Sequence, residues 1–234
     1  MAQKKPSHWL LEAPLILFLA LVVLPFIIRG FELLGLAKKD SLLLSFLLQQ
    51  AGFIMGTIYL KNKYPLYPEE KVIFKPNWRH FWKSLLWLPA IILLSILGTS
   101  ISAEILTPIL GPERLQSLLF KESTRVNILF LDSWRLLVVA LVICFLGPLS
   151  EEMFFRGFFF SRMLATYSPK IAYLVTSLFF ALPHFYLVNF LPIFLLSLIL
   201  CFLARKEGLW AAVGAHVFFN TTVFIIMFLQ VSFS

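Results

Sequence analysis

Glu151 and Glu152 stand side by side, with Arg156 four residues further on, at the end of an apolar run from Leu136 to Leu149. One charged residue at mid-membrane costs about 2.5–3.5 kcal/mol on insertion scales. Three together need a reason: mutual pairing, a water-filled cavity, or chemistry. Glu152 and Arg156 share a helix face, with the carboxylate on the favourable N-terminal side, so they can hold each other. Glu151 is rotated by about 100° from Glu152, which points it elsewhere, into a cavity on this view. Two later stretches carry further polar groups. In Phe179-Phe180-Ala181-Leu182-Pro183-His184, Pro183 removes a backbone donor and disfavours helical geometry at Leu182. His184 therefore falls at a helix end or kink, where its ring can turn inward. His216 and Asn220 are again four apart and share a face. The small residues before them, Ala211, Ala212, Gly214 and Ala215, permit close helix packing.

A carboxylate and a histidine can together activate a water. A second histidine and an asparagine amide can donate to the oxyanion of a tetrahedral intermediate, worth about 3–4 kcal/mol per donor. Glu151, His184, His216 and Asn220 would suffice for amide hydrolysis without a covalent nucleophile. Glu151, His184 and His216 would equally suit a divalent metal such as zinc, and both schemes stay open. No His-Glu-x-x-His signature is present, so a soluble zinc peptidase is not indicated. Ser150 adjoins the glutamates but lies in no Gly-x-Ser-x-Gly elbow. Cys144 lies two turns before Glu151, where an apolar buried thiol is the ordinary case. Against all these stands the plainer option that each polar group makes an interhelical bond. That option weakens when two of the four histidines share a region with the Glu-Glu-Arg cluster, while His8 and His80 lie in polar flanks.

The elements that must position these groups are membrane helices. Hydrophobic residues make up 60% of the 234 and charged residues only 14%, against about 25% charged in soluble domains. Long continuous apolar runs exclude the alternating pattern of a β-barrel. The fold class is all-α, a polytopic membrane helix bundle of about seven transmembrane helices, or eight if 107–135 holds another. The spans run from about Leu10 to Ile28, Leu42 to Leu60, Leu85 to Ile105, Leu136 to Arg162, Ile171 to His184, Phe190 to Ala204 and Leu209 to Leu229. The first, preceded by Lys4 and Lys5, is a retained signal anchor. Gln49 and Gln50 in the second bond across helices or sit near a wet cavity, the structural role being the simpler. Tyr64, Tyr67, Trp78 and Trp82 with nearby lysines belong at the headgroup level. Leu115, Leu118 and Leu119 recur at helical spacing among polar residues, which predicts a short amphipathic helix on the membrane surface. Short gaps make the last four spans antiparallel neighbours. Residues 1–135 thus form N-terminal spans with an amphipathic segment, and 136–234 a catalytic bundle, within one membrane domain. Cys144 and Cys201 give no disulfide framework.

The net charge of +8 does not indicate nucleic acid, because the basic residues sit in short loops between apolar runs. With the N-terminus inside, the inner segments hold twelve: Lys4, Lys5, Lys61, Lys63, Lys71, Lys75, Arg79, Lys83, Arg162, Lys170, Arg205 and Lys206. The outer loops hold seven: Arg29, Lys38, Lys39, Arg114, Lys121, Arg125 and Arg135. The positive-inside rule then favours N-in, C-out.

Glu151-Glu152-x-x-x-Arg156, Phe180-x-x-x-His184 and His216-x-x-x-Asn220, in that order, resemble the three motifs of the CPBP (Abi) intramembrane endopeptidases. That family includes CAAX prenyl proteases and bacteriocin-processing or bacteriocin-immunity proteins. The resemblance covers about the last hundred residues. It implies that Glu151 is the general base acting with His184, and that His216 and Asn220 stabilise the oxyanion. Glu152 and Arg156 would support the site or contact the substrate's C-terminal end. The implied substrate is membrane-associated: a CAAX-type prenylated tail, another lipidated protein or a leader peptide. The partners are membrane lipids and that substrate, in a prokaryotic cytoplasmic membrane, with or without a divalent metal. The competing function is a non-enzymatic membrane protein, such as a bacteriocin immunity factor or scaffold. No inverted repeat suggests a transporter.

Overall fold

A computed structural model describes residues 8–65, 76–124 and 133–232. The expectations placed on Lys4, Lys5, Tyr67, Lys71, Lys75 and Arg125 lie outside those residues. Among the described residues all regular structure is helical, as the composition requires. The runs are α1 (Trp9–Leu34), α2 (Lys38–Lys63), α3 (Trp78–Leu110), α4 (Pro112–Thr124), α5 (Trp134–Thr166), α6 (Pro169–Ala181), α7 (Phe190–Lys206) and α8 (Leu209–Ser232). Gly35 ends α1 with φ +98°, a left-handed stop that a side chain would resist. The amphipathic segment is α4: Leu115 is buried while Glu113, Arg114 and Gln116 are exposed.

Five helices, α1, α2, α3, α5 and α8, are long and apolar enough to cross a membrane. The expected count of seven is not confirmed. The fifth and sixth expected spans exist as helices, but α6 has 13 residues and α7 has 17. At 1.5 Å per residue they reach about 20 and 25 Å, at or below the lower end of the lengths that span an about 30 Å hydrocarbon core. The reason is local. A 3₁₀ turn over Leu182–His184 carries Pro183 and ends α6. Phe185, at φ 53°, then reverses the chain. The five long helices also exceed their expected limits: α1 continues to Leu34, α2 runs from Lys38 to Lys63, α3 begins at Trp78 and reaches Leu110, α5 extends to Thr166 and α8 to Ser232.

α5 is not a uniform α-helix. It widens into π-helical turns at Val142–Leu146 and Phe155–Phe160, which bracket the α-helical stretch Gly147–Phe154 that carries both glutamates. The first widening follows from Pro148. The ring cannot donate to the preceding turn and crowds its carbonyl, and a π-turn opens the turn to make room. The same pairing occurs in α1, where the π-turn Leu19–Val23 ends two residues before Pro25, as the first π-turn of α5 ends two residues before Pro148. In the second widening of α5, Ser161 Oγ donates to the Arg156 carbonyl at 3.0 Å.

The core is aromatic and centres on α5. Phe154, Phe155, Phe158, Phe159 and Phe160 are all buried. Trp9 of α1 packs edge-on against Phe158 and Phe159, and Phe53 of α2 against Phe154. α8 approaches the start of α3 so closely that a Cβ on Gly214 would lie 2.5 Å from the Phe81 carbonyl and from Ser84 Oγ. Polar clamps mark the two ends of the bundle. At one end Lys63 reaches Glu12 at 2.8 Å, Arg162 donates to the Pro65 carbonyl, and Lys83 faces Glu207 at 3.7 Å. At the other, Arg135 grips one carboxylate oxygen of Asp40 at 2.6 and 3.0 Å.

Candidate active site

A cavity of about 320 Å³ opens inside the bundle between α1, α2, α5, α8 and the end of α6. Glu151, His184 and Asn220 all line it. Glu151 is partly exposed and makes no hydrogen bond or ion pair among the described residues. Its carboxylate therefore faces the cavity, while its neighbour turns the other way. Glu152 is 0% exposed and accepts from Arg156 Nη1 at 2.8 Å through Oε1.

Arg156, also fully buried, is held on three further sides. Its Nη2 donates to Ser197 Oγ at 2.6 Å and to the Ser197 carbonyl at 3.2 Å. Its guanidinium lies 4.4 Å from the Phe180 ring centroid, a cation–π contact in a dry setting. Phe180 also packs against the rings of His184 and His216, at 5.1 and 5.8 Å. One buried aromatic thus touches all three cationic or ionisable partners around it.

The two histidines are oriented differently. His184 Nδ1 donates to the Phe180 carbonyl at 2.8 Å. That bond selects the tautomer with the lone pair on Nε2. His216 is 3% exposed, and its Nδ1 meets Glu152 Oε1 at 2.9 Å. His216 and Asn220 were expected to face the same way, yet they take different partners. His216 joins the buried Glu152–Arg156 pair. Asn220 reaches the cavity wall and donates from Nδ2 to the Ile143 carbonyl at 3.0 Å.

The Asn220 bond has a backbone cause. In the π-turn, the Gly147 amide donates to the Val142 carbonyl. The next residue in line for Ile143 is Pro148, which has no N–H. Ile143 is left without a backbone donor, and Asn220 supplies one. A carboxamide carries two N–H groups, so this bond leaves the second for the cavity.

The set Glu151, His184 and His216 does not fit a metal ion as placed. Among the described residues no group of three or more His, Cys, Asp or Glu side chains converges on one point. His216 is turned onto Glu152 instead.

Several cavity features lie outside the sequence motifs. Gln49 and Gln50 of α2 both line the wall, as do Phe53 and Tyr186. Gln50 Oε1 also accepts from Ser150 Oγ at 2.5 Å, so one side chain fills both roles that the sequence allowed for it. Ser197 carried no sequence signal, since its partner lies 41 residues away.

Fold and site together define an integral membrane protein, a helical bundle with a carboxylate and a histidine on the wall of an internal cavity and a buried ion cluster behind them. Residues 133–222 match the protein-family model described as type II CAAX prenyl endopeptidase Rce1-like. The matched segment runs from the start of α5 into α8 and contains all three motifs, so the resemblance drawn from them is borne out. The match supports a membrane-embedded protease acting among lipids. A search of curated proteins found no match, and a search of solved structures found none.

Proposed function

We propose that the protein is an intramembrane endopeptidase that hydrolyses a peptide bond near the C-terminus of a prenylated, CAAX-type substrate. The observation that carries this is Glu151, a carboxylate with no protein partner among the described residues on the wall of a cavity shared with His184. A charge left unpaired inside a membrane bundle has no structural use, whereas a general base needs that freedom.

In this scheme a water between Glu151 and His184 loses a proton to the Glu151 carboxylate and attacks the scissile carbonyl carbon. The carbonyl π-electrons move onto oxygen and form a tetrahedral oxyanion. The second N–H of Asn220 donates to it. The resemblance gives His216 the second donor; its Nδ1 is held by Glu152 beside the cavity wall, which leaves that role to Nε2. Collapse of the intermediate breaks the C–N bond, and the proton held by Glu151 passes to the leaving amine. His184, fixed with its lone pair on Nε2, accepts a hydrogen bond from the water and aligns it. Glu152 and Arg156 act behind the cavity by holding His216 and Phe180. No step runs through a metal. The apolar wall, including Leu21, Phe46 and Phe53, suits a lipid chain beside the peptide. The charge bias of the loops supports an N-in orientation in a prokaryotic cytoplasmic membrane.

The test is cleavage of a fluorogenic prenylated CAAX-type peptide by purified protein in liposomes. Wild type should cleave, with or without chelator. Glu151→Gln should lose activity by at least about 1,000-fold, within the range for general acid–base groups and their partners, while its melting temperature stays at the wild-type value. A Glu151→Gln protein that cleaves normally would show that Glu151 is not the general base, and a wild type that cleaves nothing would favour a scaffold or immunity protein.

A further inference from the structure

We propose that Gln50, on α2 and outside the family-matched segment, is a substrate-binding residue whose side-chain amide donates to a backbone carbonyl of the bound peptide. The proposal presupposes the peptidase function proposed above and adds a residue from the N-terminal half to its site.

Two observations support it. Gln50 is 4% exposed, yet it lines the same cavity as Glu151. Its one hydrogen bond among the described residues comes from Ser150 Oγ to Oε1. With the oxygen held there, the amide nitrogen is the end left to face the cavity. That nitrogen is open to the cavity, where a bound group can accept from it.

Ser150 is the positioning residue for this amide. It precedes Glu151 directly, is itself fully buried, and lies 3.0 Å from the Gly147 carbonyl, a second acceptor to which its single proton can turn. That second acceptor matters for testing, because Ser150 stays satisfied when Gln50 is removed. The arrangement ties the amide to the same helical turn as the proposed general base. An extended peptide lying over Glu151 would present backbone carbonyls to that wall. Glutamine suits this place because it is neutral, donates and accepts at once, and reads the peptide backbone rather than any one side chain.

The experiment compares full-length wild type, Gln50→Leu, Ser150→Ala, the double variant and Glu151→Gln in liposomes, measuring kcat and KM with the fluorogenic prenyl peptide. Binding of an uncleaved peptide to Glu151→Gln and to Glu151→Gln/Gln50→Leu is measured alongside. Gln50→Leu should lower kcat/KM about 10- to 100-fold, as for a buried donor deprived of its substrate acceptor, with little change in melting temperature. In the Glu151→Gln background it should weaken peptide binding. Ser150→Ala should have a smaller effect, and the double variant should lose no more than Gln50→Leu alone, because Ser150 acts through Gln50. If Glu151→Gln abolishes cleavage but Gln50→Leu cleaves and binds like wild type, the role of Gln50 is overturned and the peptidase stands. If Gln50→Leu loses activity only in step with a lowered melting temperature and unchanged peptide affinity, Gln50 is structural and the proposal is overturned. If wild type neither binds nor cleaves the peptide, both fall.

Discussion

Arg156 is a full positive charge with no exposed surface, and each interaction it makes answers that cost. Glu152 neutralises it, Ser197 accepts twice from Nη2, and Phe180 covers the guanidinium face. Breaking a buried pair from one side strands the other charge, typically costing about 3–5 kcal/mol. Arg156→Met should therefore lower the unfolding free energy by about that amount, seen as a large drop in melting temperature in detergent. Glu152→Leu/Arg156→Met should recover much of that stability, because neither charge is then stranded. It should still cleave poorly, because His216 loses the carboxylate that holds Nδ1. A double variant that regained full activity would show that the buried pair plays no part in orienting His216. The pairing of Glu152 with Arg156 was legible from their spacing of four. The partner of His216 was not, because the same spacing places it on a face shared with Asn220 and says nothing about which neighbour each group meets.

The element that sets the site's geometry is α5, with its two π-turns around one α-helical stretch. Pro148 makes the first π-turn necessary, and Asn220 completes it by donating to Ile143. Asn220→Ala should leave that carbonyl without a donor and cost about 1–3 kcal/mol. Pro148→Ala returns a backbone N–H at the position that can serve Ile143. In a Pro148→Ala background, Asn220→Ala should then cost less. Chemical denaturation of the four proteins gives the coupling energy, and strict additivity would mean that Asn220 does not stabilise the turn. Pro183 was visible in the sequence as a place where a helix must yield, whereas no break was drawn from Pro148 or Pro25. How a helix yields was not visible, since a proline can kink a helix, end it or be absorbed by a wider turn, and the neighbouring helix decides. α6 ends at its proline, whereas α5 and α1 continue through theirs.

At the scale of the whole molecule, the cavity belongs to both halves of the chain. Leu21 comes from α1, Gln49, Gln50 and Phe53 from α2, and the motif residues from α5, α6 and α8. The turn between α6 and α7 leaves irregular backbone at the cavity edge, with Phe185 and Tyr186 in the wall, where such backbone is tolerated. A fragment of residues 133–234 should be inactive although it contains every motif. Co-expression with a separate 1–130 fragment should restore cleavage, since membrane helices formed independently can then associate. Activity from the 133–234 fragment alone would show that α1 and α2 do not build the site.

The sequence by itself determined the all-helical membrane class, because so apolar a chain must satisfy its backbone within helices. It also determined the amphipathic α4, the break at Pro183 and the three ordered motifs, all of which depend on contacts within a few residues. Tertiary structure decided the rest. It ended α6 after 13 residues, tied His216 to Glu152 and Asn220 to Ile143, and brought Gln50 beside Ser150 across 100 residues of chain. Periodicity reports which face of a helix a residue occupies. Only packing decides what lies opposite that face.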